Sequence, residues 1–287
     1  MRRVALITWS ELREGAESER LLLPLLAQRS VEATLVDWRD PEADFGAFDL
    51  LVLRSCWDYH LRALEFTSWL GSVAKNVAVL NPVPTVLWNS NKMYLRELKS
   101  RGLEIPPTCF VPAGALPGEN DLEQMRSWPQ AVVKPAISAS AHNTQLVSRE
   151  SLASPAQLAA MMHGQAFLVQ QFVTEVKTKG EISFIYIDGA YSHAVLKRPA
   201  AHDFRVQQEH GGSAELIHPP DSLRKQADAV ATGVPQVRES LYCRIDAIEK
   251  DGKLVLMELE LIEPELFLGL AEGAARRFAD AIFRRLK

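Results

Sequence analysis

The sequence predicts a parallel α/β layer followed by α+β architecture. Three observations carry that prediction. Apolar strand-like runs alternate with amphipathic helical stretches over the first 80 residues. From Ala131 onward the strands come in hairpins, with tight turns at Asp188-Gly189 and Asp251-Gly252. The chain has 287 residues, which at roughly 150 per domain suggests about two domains with sizeable cores.

Residues 4–9 form an apolar run behind Met1-Arg2-Arg3 that stops at Ser10-Glu11. It is too short for a signal sequence and reads as a first strand. An amphipathic helix follows at 19–26, then strands at 33–38 and 50–53, helical periodicity at 64–73, and a short strand at 77–80. Asn81-Pro82 and Pro84 close this unit. Asn89 or Ser90 can cap a helix running to Ser100, and Gly102 sits where a helix usually stops. Pro106-Pro107 makes a rigid linker near a first domain boundary. Beyond it, 131–135, 167–172, 182–187 and 192–196 read as strands and 221–239 as a helix. A hairpin of 242–248 and 254–261 precedes a last helix over 273–286.

With 47% hydrophobic and 24% charged residues, the composition excludes a disordered chain, a collagen-like repeat and a coiled-coil rod. The net charge is -4 and the cations are scattered, so neither nucleic acid nor an anionic membrane is an expected partner. No apolar run approaches the ~18 residues of a membrane span. Cys56, Cys109 and Cys243 lack CxxC spacing and cannot all pair, which fits a reducing cytoplasm.

The sharpest chemical cluster is the second hairpin, with Arg244 and Asp246 on one strand and Glu258 and Glu260 on the next. Period two puts each pair on one face, and the turn at Asp251-Gly252 brings the pairs together. Three carboxylates beside an arginine form a hard oxygen site suited to Mg²⁺. A solvated outer face is the alternative, although Leu254, Leu256 and Leu261 favour a buried sheet. Lys134 leaves an apolar strand into a loop of small residues containing Ser138 and Ser140, where backbone N–H groups and hydroxyls can wrap a phosphate. Neither GxxxxGK[ST] nor GxGxxG is present. Lys92 stands near a helix start, and Gln171, Phe172 and Val173 with Glu181 form a crossover suited to a flat base and ribose hydroxyls. Arg198, Arg205 and Gly211-Gly212 suit a clamped oxyanion, or equally a solvated turn. After the third strand, Arg54 can pair with a substrate carboxylate and Asp58 with an ammonium, while Trp57 and Tyr59 form a wall. Packing of this loop against the next domain is the other reading. The histidines 193, 202, 210 and 218 are too irregularly spaced for zinc.

In this order, Lys92, Val-Val-Lys134-Pro, Val-Gln-Gln-Phe-Val into Glu181, Lys-Arg-Pro to Arg205, and Arg-Ile-Asp246 to Glu258-Leu-Glu260 resemble the ATP-grasp superfamily in its glutathione-synthetase-like branch. The likeness covers about residues 81–261, and the start looks like the family's preceding domain. It implies an ATP-grasp fold with an α/β substrate domain over 1–84, a central subdomain over 85–170 and a C-terminal subdomain over 171–287. It further implies phosphates on Lys92, Lys134, Ser138 and Ser140, adenine on the backbone of Gln171 to Val173, and ribose on Glu181. Asp246, Glu258 and Glu260 would hold two Mg²⁺ ions, with Mn²⁺ able to substitute. Glu260 replaces an asparagine common among relatives, and Ala-Ile-Ser-Ala-Ser-Ala replaces a glycine-rich phosphate loop.

The segments 54–59, 88–95 and 193–199 look like the subgroup containing the D-cycloserine ring-forming ligase. The chemistry so implied is an ATP-dependent carboxylate–amine ligation through an acylphosphate, forming an amide or cyclic amide on an amino-acid-like or small peptide substrate. Arg198 and Arg205 would orient phosphate and acyl oxygen, and Arg244 the substrate carboxylate or phosphate. A homodimer through the first domain is expected by the same likeness. A phosphotransferase that stops at phosphoryl transfer, and a non-catalytic ATP-binding module, remain as alternatives.

Overall fold

The computed structural model describes residues 1–286 in three sheets. The first is parallel, ordered β2-β1-β3-β4, with β1 at Arg2–Thr8, β2 at Val31–Asp37, β3 at Leu50–Leu53 and β4 at Ala78–Leu80. Helices Glu17–Ala27 and Ala63–Val73 supply the crossovers such a sheet requires. The second sheet is antiparallel, ordered β5-β8-β6-β7, from β5 at Thr108–Val111, β6 at Gln130–Pro135, β7 at Gln145–Ser148 and β8 at Phe167–Gln171. The third is the five-stranded β11-β10-β9-β12-β13, from β9 at Glu181–Ile187, β10 at Ala190–Arg198, β11 at Ser213–Ile217, β12 at Tyr242–Lys250 and β13 at Lys253–Glu260.

Several local expectations change. The stretch expected as one helix over 221–239 divides into Asp221–Gly233 and Pro235–Glu239, because Pro235 holds Val234 in extended backbone. The helix expected from Asn89 begins only at Tyr94, since the Lys92 N–H donates to the Ala136 carbonyl instead of a helical turn. Val83–Asn89 forms a separate helix. Strands β5, β7 and β11, four or five residues each, and the polar helix Glu119–Arg126 carry too little periodicity to read from sequence.

The packing also crosses the expected boundaries. Tyr94, Leu95 and Leu98, assigned to the central subdomain, lie in the core of the third sheet with Phe184, Ile245 and Leu256. Helix Ala274–Arg285 carries Phe278 and Ile282 into a core shared with Val4 and Leu6 of β1. Asn81 ties the first and third sheets: its side-chain amide donates to the Tyr242 and Leu261 carbonyls and accepts from the Leu241 N–H. The free edge of β13 is closed by Asn89 and Tyr94, which bond the backbones of Leu259 and Leu261. This cover keeps the hairpin that carries the acids rigid. No helix among the described residues is long and apolar enough to cross a membrane.

Candidate active site

All three sheets contribute to one cavity of about 430 Å³. The second and third sheets supply its charged walls, and the loop after β3 supplies an aromatic lip of Trp57 and Tyr59. On the side of the second sheet, Lys134 ends the apolar part of β6 and leans into the cavity. It makes no ion pair or hydrogen bond among the described residues. Burial holds its pKa below that of an ordinary lysine, with Glu258 opposing that effect. Ser138 and Ser140 line the cavity in the loop that follows, and Ser140 and Ala141 adopt left-handed backbone. The Ser138 carbonyl accepts from Lys92 Nζ at 2.6 Å.

At the end of β8, Gln171, Phe172 and Val173 line the cavity. The N–H groups of Gln171 and Phe172 donate to the carbonyls of Pro107 and Gln130, and the Val173 N–H has no acceptor among the described residues. A flat heterocycle placed between Phe172 and Met257 would meet that single donor.

The hairpin pairs Arg244 with Glu260 and Asp246 with Glu258, with a bulge directly after Asp246. The sequence reading has the three carboxylates converge, and here a correction is needed. Each has turned to a cation: Glu258 to Lys92 Nζ at 2.7 Å, Glu260 to Arg244, and Asp246 to Arg244 at 2.9 Å and Lys197 Nζ at 3.2 Å. Among the described residues no three acids or histidines stand in ligand geometry. The donor chemistry nevertheless fits a hard cation, which would replace the ammonium and guanidinium groups at the same oxygens. Burial raises the pKa of Asp246, but Arg244 and Lys197 outweigh it and hold the carboxyl low. Burial pushes Glu260 well above the carboxylate range. Lys92 is disfavoured as a cation by burial, yet the neighbouring Glu258 and Glu260 raise it.

Lys197, which the sequence reading passed over in favour of Arg198, is 6% exposed and bonds Glu181 at 2.6 Å. Its parity with Val195 on β10 was the available signal, since both point inward. Arg198 takes the opposite parity. It is half exposed, pairs loosely with Glu215 at 3.7 Å, and does not line the cavity. Arg205 lines it, anchored by Asp203 at 2.7 Å.

Arg54 and Asp58 need correcting too. Arg54 is 1% exposed, pairs with the equally buried Glu19 at 3.1 Å, and stacks over Tyr242 and Phe278. Asp58 turns inward to accept from Trp38 Nε1 at 2.7 Å. Both hold the loop in place, while Trp57 and Tyr59 face the cavity. Sequence reasoning also missed Glu263, just past the hairpin, which lines the cavity and is 9% exposed. Burial pushes its pKa up to about 7.

The chain is similar to several known proteins. Residues 4–81 match the family described as D-cycloserine synthetase DcsG, N-terminal domain. The chain is 31% identical over 275 residues to the cycloserine biosynthesis protein DcsG of Streptomyces lavendulae, covering 90% of each. It is 24% identical over 230 residues to a glutathione synthetase of Bradyrhizobium diazoefficiens, covering 76% of this chain and 66% of that protein. The crystal structure of D-cycloserine synthetase DcsG superposes with a TM-score of 0.82 at 26% identity, covering 99% of this chain and 100% of that one. D-alanine–D-alanine ligase from Bacillus anthracis, complexed with ATP, shares the fold alone, with a TM-score of 0.68 at 16% identity over 100% of this chain and 97% of that one. The chain belongs to the ATP-grasp superfamily of ATP-dependent ligases, in the subgroup that contains the D-cycloserine synthetase.

Proposed function

We propose that the cavity joins a carboxylate to an amine on a small amino-acid-like substrate through an acylphosphate, the cyclic product of a D-cycloserine-type closure being the leading case. The observation that carries this reading is Lys134, a half-buried cation with no ion pair among the described residues, at the start of a loop of small residues. Such a group calls for an anionic ligand, and the γ-phosphate of ATP supplies one.

The residues divide the work by position. Phe172, Met257 and the Val173 N–H receive the adenine, and Lys92 and Lys134 hold phosphate oxygens. Mg²⁺, as one ion or two, would be held by Asp246, Glu258 and Glu260 and would neutralise phosphoryl charge. Arg205 and Arg244 bracket the place where the acyl oxygen and the transferred phosphoryl group meet. The attacking carboxylate lies opposite, under Trp57 and Tyr59. Enclosure by three walls protects the acylphosphate from water. Glu181, already bonded by Lys197, retains a second carboxylate oxygen for a ribose hydroxyl.

Release of ADP with Mg-ATP across D-amino acids, dipeptides and O-ureido-D-serine, with hydroxylamine trapping, tests this directly. A hydroxamate from one acid establishes the chemistry and identifies the acyl donor. ADP release with a stable phosphorylated product and no hydroxamate would replace the ligase reading by phosphotransfer. The three cysteines are buried thiols, as a reducing cytoplasm allows. A dimer through the first sheet is the assembly we propose, and sedimentation would test it.

A further inference from the structure

Glu263 follows β13 at the junction of the first and third sheets. Its backbone carbonyl accepts from Trp57 Nε1 at 3.0 Å, which fixes the segment against the loop after β3. Its side chain lines the cavity beside Trp57, Tyr59 and Asn89 and is nine-tenths buried. Of the other acids lining the inner cavity, Glu181 and Asp246 have Lys197, Glu260 has Arg244 and Glu258 has Lys92, while Glu265 is held by the Ser18 hydroxyl and the Phe267 N–H. Glu263 has no such partner. Among the described residues its carboxylate forms no ion pair, and only its own backbone N–H supports it. Lys92, Glu258 and Arg244 face it from one side and Cys56, Tyr59 and Tyr242 from the other, where Arg54, stacked over Tyr242, is committed to Glu19 and the Pro264 carbonyl. A carboxylate kept here is costly to the free protein unless a cation arrives.

We propose that Glu263 receives the ammonium group of the substrate and thereby selects an amino acid over the corresponding hydroxy acid. This rests on the ligase reading above and locates its acyl substrate. With the ammonium on Glu263, between the indole of Trp57 and the ring of Tyr59, the substrate carboxylate points toward Lys92, Arg244 and the phosphate site. The placement uses opposite charges at the two ends of one small zwitterion. The sequence offers a weak sign of it in Glu263-Pro264-Glu265, where proline fixes the backbone directly after the acid.

The experiment compares wild type with Glu263→Gln by hydroxamate trapping, using O-ureido-D-serine, D-serine and D-alanine beside D-glycerate and D-lactate. Wild type should prefer the amino acids by roughly thirtyfold in kcat/KM, the factor that about 2 kcal/mol of charged hydrogen bonding corresponds to. In Glu263→Gln that preference should fall to near unity, mainly through KM. A wild type indifferent to the amino group overturns the assignment, as does a variant that keeps the preference or loses all trapping in both classes. A second readout separates the two readings. The thermal shift given by D-serine, and not by D-glycerate, should vanish in the variant whether or not turnover is seen. Hydroxamate silence with that shift intact would sink the ligase reading and leave the ammonium site standing. Absence of any amino-dependent shift in wild type would sink the ammonium site.

Discussion

Lys134→Met separates the two demands placed on this site. In the free protein Lys134 is half-buried with no ion pair among the described residues, and desolvation depresses its pKa. Removing the charge while keeping the length therefore relieves a desolvation cost. Replacing buried ions by apolar side chains stabilises by about 1–4 kcal/mol, so the lower part of that range, about 1–3 kcal/mol, applies to a lysine that still touches the cavity. At about 2–4 °C per kcal/mol for chains approaching this size, Tm should rise by roughly 2–12 °C. The sign against pH follows from linkage. The folded-state pKa lies below the unfolded one, so between the two values the unfolded chain holds the extra proton and wild-type stability rises with pH. The variant's advantage is thus greatest near neutrality and fades as pH nears the ordinary lysine value of 10.5. ATP should respond oppositely: loss of one charged hydrogen bond to phosphate weakens binding by about 1.5–3 kcal/mol, or roughly 10- to 150-fold. Scanning calorimetry without nucleotide, and titration calorimetry with the ATP analogue AMPPNP and Mg²⁺, read the two effects. A variant that melts below wild type, or binds nucleotide unchanged, would refute the reasoning.

Three further outcomes follow from the same geometry. Glu258→Gln removes one hard oxygen ligand and frees Lys92, and ADP release should drop at least ~100-fold while nucleotide still binds; turnover near wild type would remove Glu258 from the metal site. Arg54→Ala leaves Glu19 buried and unpaired, and Tm should fall by roughly 10 °C for a loss of about 3–5 kcal/mol; a smaller loss of stability with a raised KM would return Arg54 to the substrate. Glu263→Gln should abolish a pH slope: with the folded pKa raised from 4.5 to about 7, the native state holds the extra proton in that window, so wild-type stability falls as pH rises through it. The variant should then gain up to roughly 3 kcal/mol at pH 8 and almost nothing at pH 4, and equal melting curves at pH 8 would contradict it.

The parallel order of the first sheet and the hairpin that carries the acids were legible because period and turn chemistry agree over long, strongly apolar runs. The Asp251-Gly252 turn fixes which acid faces which, and Asp251 does take the left-handed backbone that such a turn asks for. Less legible was the direction in which a named side chain points. Arg54 and Asp58 stand in a loop at the mouth of a parallel sheet, where ligands bind, yet both fold back into the core. Their partners, Glu19 and Trp38, are 35 and 20 residues away, and no local pattern announces them. Lys197 and Arg198 differ by one residue and hence by a sheet face, so a motif read as a block of cations picked the outer one. The convergence expected of Asp246, Glu258 and Glu260 follows from strand register alone, whereas their actual hydrogen bonds depend on cations from Lys92 and Lys197 on other elements.

That exchange of partners says how the cavity is organised. Most of its inner charges are neutralised within the protein: Lys92 by Glu258, Lys197 by Glu181 and Asp246, Arg244 by Asp246 and Glu260. Among the described residues, the half-buried Lys134 on the second sheet and the buried Glu263 past the end of the third have no ion pair. A protein selected for stability alone would pair them or replace them. Their separation on different walls places a cation and an anion at two ends of one space, which the triphosphate and amino acid of the proposed reaction would satisfy. In the proposed reaction, phosphate would take Lys92 and Arg244 while Mg²⁺ would take Glu258 and Glu260, so the internal pairs would open as the ligands bind. The ion pairs of the free cavity are thus exchangeable partners that hold its acids and bases apart from water until substrate supplies the missing charges.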